Sequence, residues 1–184
     1  MNRFSLAPER NCFARIWVAF AVAALALGSA ACGKPFDVKA APGFVALENQ
    51  HDYDWRATTP EGVVVGVRVV EDEKRGDLAF WTQAVTLQLR DVTGYALLES
   101  TETASGDGTK GRLLKFGHDE DDKPYVYWVA IFPAQGRLFL VEAGGQKDLF
   151  ERARPNVEWT MKTIVVRCNG FLAPVLSSHT CNRW

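Results

Sequence analysis

The chain is 184 residues long, with 21 Lys and Arg against 22 Asp and Glu and a formal charge of −1. That balance is too mild and too mixed for a nucleic-acid partner, whose polyanionic backbone demands a concentrated basic face. Apolar residues make up 47%, ordinary for one globular domain long enough to bury a core.

Arg3, Arg10 and Arg15 precede an uninterrupted apolar run from Ile16 to Leu27. The run is short of the roughly 20 apolar residues that a spanning helix needs. Between a basic start and a small-residue site it fits the core of an export signal, and residues 1–31 are read as a signal peptide. Ala30-Ala31-Cys32 resembles a lipobox, in which a cysteine after small residues receives a diacylglycerol before cleavage. Ser29 departs from that pattern, which has a leucine there, and ordinary cleavage after Ala31 is the competing outcome. Lipidated Cys32, carrying fatty acids such as palmitate, anchors the chain firmly, since two acyl chains suffice for stable attachment. Gly33 and Lys34 follow where inner-membrane retention would place an aspartate, which favours the outer membrane. Without lipid the product is secreted or periplasmic.

Loss of the signal leaves 18 basic and 21 acidic residues in a single mature domain. Residues 32–43, with Pro35, Pro42 and Gly43, read as a lipidated tether, and 44–166 as one α+β domain. The domain begins with a hairpin: Tyr53 to Thr58, a Pro60-Glu61-Gly62 turn, then Val63 to Glu71, valine-rich on both faces. Leu78, Trp81, Val85, Leu89 and Val92 then recur at helical spacing, with Asp77 as N-cap and Gly94 as stop. Four strands are expected next: Tyr95 to Thr103, Arg112 to Phe116, Tyr125 to Phe132, and Arg137 to Glu142, the last closing at Gly144-Gly145. Helix returns at Asp148 to Ala153, with Pro155 opening a further segment through Val166. Residues 167–184 form a tail in which Cys168 and Cys181 pair in an oxidising compartment, closing a loop of about 14 residues.

The order β-β-α-β-β-β-β-α, an antiparallel sheet of about six strands with helices, resembles the PsbP-like fold over residues 44–166. The Tyr53–Val70 hairpin and the Tyr125–Glu142 meander carry the resemblance. It implies a sheet packed between helices that serves as a docking surface, in accessory or assembly proteins rather than enzymes. A cone of the nuclear-transport-factor type is the alternative, although such chains begin with helices.

Chemistry-bearing patterns are sparse. His118-Asp119-Glu120-Asp121-Asp122 is consecutive, so its side chains diverge, and a solvated hairpin tip outweighs a calcium cage. Gly106 to Gly111 lacks a following helix and reads as a turn, not a phosphate cradle. No nucleophile elbow or histidine-oriented triad is present. No enzyme activity, metal or cofactor is expected. Tyr125, Tyr127, Trp128 and Phe132 in one strand exceed what one buried face requires. One set packs under a helix; the other is either covered by the opposite helix or left as a binding patch. The expected function is a docking subunit of an envelope assembly serving motility, secretion or polysaccharide export, with an envelope protein as partner. A periplasmic carrier of a small apolar or lipidic ligand is the alternative.

Overall fold

The computed structural model describes residues 35–48 and 51–166. The expected signal peptide, Cys32, the expected Cys168–Cys181 bridge and the tail lie outside the described residues.

Among the described residues, nine strands and two α-helices follow in chain order. They are β1 (Phe36–Asp37), β2 (Val45–Leu47), β3 (Trp55–Thr58), β4 (Val64–Glu71), α1 (Leu78–Leu87), β5 (Ala96–Ala104), β6 (Lys110–Glu120), β7 (Lys123–Ala134), β8 (Arg137–Gln146), α2 (Lys147–Lys162) and β9 (Val165–Val166). Seven strands make one antiparallel sheet in the order β2-β3-β4-β8-β7-β6-β5, and β1 pairs with β9 apart from it. This is an α+β fold.

Period-two alternation sends each strand's side chains to opposite faces. On one face Val65, Val67, Trp128, Phe132, Phe139 and Val141 meet Phe150, Val157 and Met161 of α2. On the other, Leu114, Phe116, Val129, Ile131, Leu138 and Leu140 lie beneath Leu78, Trp81, Val85 and Leu89 of the α1 segment. The two helices cover their faces unequally. α2 buries Phe150, Val157, Thr160 and Met161, whereas α1 buries no residue completely.

Local chemistry sets the helix ends. The Asp77 carboxylate accepts from the Phe80 N–H at 2.7 Å, capping α1, and Gly94 takes the positive φ of 77° that ends the segment. Between them the helix widens over Gln88–Val92, where the Thr93 N–H reaches the Gln88 carbonyl. Buried Asp72 holds the approach to α1, accepting from the Gly76 N–H and from Trp81 Nε1, each at 2.8 Å.

Several boundaries differ from the sequence reading. β8 runs through Gly144 and Gly145 to Gln146 instead of turning there, because cross-strand pairing with Val64, Tyr127 and Val126 continues past the glycines. Pro155 lies inside one continuous α2 and does not open a new segment. The missing N–H costs that helix one internal bond, which burial of the surrounding apolar stripe outweighs. His118, Asp119 and Glu120 belong to β6, and only Asp121 and Asp122, at φ 50° and 59°, form the hairpin tip. The stretch read as a tether joins the fold from Phe36 onward. Phe36 and Ala41 are buried, the Ala41 N–H donates to Thr160 Oγ1 at 3.2 Å, and Asn156 Nδ2 donates to the Pro42 carbonyl.

Candidate functional site

α1 crosses only part of its sheet face. Beside it, over the ends of β3, β4, β8, β7 and β6, lies an open trough of about 270 Å³. Its walls contain Tyr53, Tyr95, Tyr125 and Tyr127, which are all four tyrosines of the chain.

The sequence makes room for them with glycine. Gly66 of β4 pairs with Glu142 of β8, and Gly144 pairs with both Val64 and Tyr127. A Cβ on Gly66 would stand 2.6 Å from Cδ1 and Cε1 of Tyr53, so that ring lies directly on the strand. A Cβ on Gly144 would come within 3.2 Å of the Tyr127 ring. The glycines form a floor, and the rings lie along it.

At the centre sits the Glu142 carboxylate, 3% exposed. Tyr53 Oη donates to its Oε2 at 3.0 Å, and Arg68 Nε donates to Oε1 at 2.9 Å with a second guanidinium nitrogen on the same oxygen. A buried carboxylate is tolerable only when paired and hydrogen-bonded in this way. Two cations lie close to the Tyr53 ring, the guanidinium carbons of Arg56 and Arg68 each 5.4 Å from its centroid. Burial, reinforced by the Glu142 charge and hydrogen bond, pushes the Tyr53 hydroxyl up to about 12. The same causes push Tyr127 further in the same direction. Both phenols are therefore neutral at physiological pH, and Tyr53 is a donor. Tyr95 closes the far wall, its ring 4.9 Å from His118 and 5.5 Å from Tyr127.

The four aromatic residues singled out in β7 separate by strand parity. Tyr125 and Tyr127 line the trough. Trp128 and Phe132 point to the α2 face at 5% and 1% exposure, and Trp128 meets Phe150 edge-on at 4.9 Å. His118 and Glu120 also line the trough, on the same parity of β6. Sequence reading did not single out Tyr53, Arg56, Arg68, Tyr95 or Glu142. The signal available was parity: Gly66 and Arg68 share one face of an otherwise valine-rich strand, and Glu142 interrupts an apolar one. Among the described residues, no three His, Cys, Asp or Glu side chains converge as a metal site. Among them, too, no helix is long and apolar enough to cross a membrane.

Comparison with known proteins speaks to the fold. No protein-family model matches the chain, and no curated protein does. Among solved structures, LpqN of Mycobacterium tuberculosis, described as involved in cell envelope biogenesis, superposes with a TM-score of 0.57 at 14% identity. That match covers 74% of this chain and 87% of LpqN. The cyanobacterial PsbP protein CyanoP of Synechocystis superposes with a TM-score of 0.52 at 11% identity, over 72% of this chain and 86% of CyanoP. The fold is PsbP-like. At such identities the likeness extends to architecture alone, and the trough has to be interpreted from its own chemistry.

Proposed function

We propose that the chain is a non-enzymatic cell-envelope lipoprotein, anchored through Cys32, whose domain holds a small ligand in the four-tyrosine trough. The observation that carries this reading is the gathering of every tyrosine in the chain around one buried carboxylate in an open concavity. Tyrosine combines an apolar ring with a hydroxyl at low entropic cost, which suits recognition surfaces. The carrier reading of the sequence therefore gains over the docking reading. Binding also fits the chemistry better than catalysis. Glu142 is occupied by Tyr53 and Arg68, and a carboxylate held by a phenol and a guanidinium is a poor general base. The envelope location rests on the signal peptide and lipobox, and the envelope role of the structurally similar LpqN is consistent with it.

The test is native mass spectrometry of the protein purified from its own membranes. A bound small molecule should accompany the wild-type chain and be lost on Gly66→Ala, which displaces the Tyr53 ring. In the same cells, fatty-acid labelling should disappear on Cys32→Ser. An empty trough in the wild-type protein, or a Gly66→Ala variant that retains its cargo, would overturn the carrier.

One observation favours docking as a second reading. Phe80, Leu87 and Val92, at 57%, 41% and 70% exposure, project from a segment whose helix carries no charged residue. A protein partner from a motility, secretion or polysaccharide-export assembly covering that row should be captured by cross-linking in cells. Substituting Phe80 or Leu87 by Lys should release it.

A further inference from the structure

Beneath α1 runs a second concavity, a groove of about 330 Å³ between the helix and its sheet. Val70, Val85, Leu89, Val129, Leu138 and Leu140 give it apolar walls. At one end it is bounded by Tyr127 and Glu142, and those two residues also line the trough. The groove exists because α1 buries none of its residues completely, whereas the sheet below it offers Val129 and Leu138 as nearly inaccessible walls. An apolar slot thus lies next to a polar basin, with one shared pair of side chains between them.

We propose that trough and groove form a single site for an amphiphile with one alkyl chain and an uncharged, hydroxyl-bearing head. The proposal rests on the trough being a ligand site and names its ligand class. The chain lies along α1, where Val70, Val85, Leu89, Val129, Leu138 and Leu140 meet it and Gln88 and Arg68 are the polar exceptions besides the shared pair. The head lies among the tyrosines. The trough presents both signs of charge, Arg56 and Glu120 in its walls and the Arg68–Glu142 ion pair at the junction, so a charged head of either sign meets a like charge there. Hydroxyls, by contrast, find the phenol oxygen of Tyr53, whose own proton goes to Glu142 and whose lone pairs accept, and the neighbouring Tyr127 phenol.

The experiment uses the secreted chain carrying Cys32→Ser, which leaves every described residue intact and needs no detergent. Three probes share one alkyl length: monolauroylglycerol (uncharged diol), laurate (anion) and dodecyltrimethylammonium (cation). Binding is read from quenching of tryptophan fluorescence, Trp81 being part of the groove wall, below the aggregation threshold of each probe. Monolauroylglycerol should bind, and the two charged probes should bind about tenfold more weakly or worse. Shortening the monoacylglycerol should weaken it by roughly two- to fourfold per methylene. Leu89→Trp, which fills the groove, should flatten that chain-length series, and the wild-type series stands alone if the variant misfolds. Equal or tighter binding of a charged probe overturns the head assignment. Affinity independent of chain length overturns the tail assignment but leaves trough binding intact if Gly66→Ala still abolishes it. Absence of binding by all three probes overturns the inference, while a different cargo found on the purified protein would preserve the trough as a ligand site.

Discussion

Glu142 shows how one buried residue can organise its surroundings. Its strand neighbours Val141 and Ala143 face the α2 core, and parity alone turns Glu142 to the other side. There it fixes Tyr53 and Arg68 in one arrangement beside Tyr127. The tyrosines carry the measurable consequence. Tyr53 is raised from 10.0 to about 12 by burial first and by Glu142 second, and Tyr127 is raised for the same reasons. A raised folded value means that the native state holds its proton longer than the unfolded chain. The stabilisation is complete below pH 10 and is lost as pH climbs toward 12. For partly exposed Tyr53 that loss is on the order of 1 kcal/mol after allowance for solvent screening. Urea denaturation across this range should show stability falling, and tyrosinate absorbance should show two phenols ionising late. Tyr127→Phe should remove one late phenol and shallow the decline.

At the scale of elements the two helices make opposite contributions. α2 buries Phe150 at 0% exposure against Trp128, so Phe150→Ala should cost roughly 3–5 kcal/mol. Val85 on α1 is only half-buried beside the groove, and Val85→Ala should cost about 1 kcal/mol. Equilibrium denaturation of the two variants checks the contrast, and equal losses would mean that α1 is packed as tightly as α2. The elements themselves were legible in the sequence where their signals are local. The helix at Leu78, its Asp77 cap and its Gly94 stop were all expected, because cap chemistry and periodicity act within a few residues. The glycine pair and Pro155 were misread for the converse reason. Gly144-Gly145 looks like a turn in isolation, and only pairing with β4 and β7 keeps it extended. The trough was less legible still. It draws on Tyr53, β4, Tyr95, β6, β7 and Glu142, and nothing near any one of them in sequence reports the others. Tyr125 and Tyr127 were visible as surplus aromatics, but their separation from Trp128 and Phe132 required knowing which face each helix covers.

Across the whole molecule, the sheet ends in two unlike edges. β2 is a three-residue strip, too short to template another chain. β5 is a nine-residue strand, interrupted by a bulge between Leu97 and Glu99, where Glu99 pairs with Lys115 at 2.7 Å. The bulge and the charge blunt that edge against pairing with a second copy. The remaining strands, β1 and β9, stand apart from the sheet and join the two ends of the described residues, with Phe36 opposite Val166. Antiparallel partners of this kind sit about 5 Å apart, so a few added residues could splice one to the other. The backbone of this domain is then nearly a closed ring, and its point of opening is a matter of gene order. A circular permutant joining Val166 to Pro35 through a short Gly-Ser linker, and reopened at the Gln135–Gly136 hairpin tip beyond the trough, should fold and keep the same tyrosine titration. Failure of that permutant to fold would show that the order in which these strands are made, and not only their final neighbours, belongs to the specification of the fold.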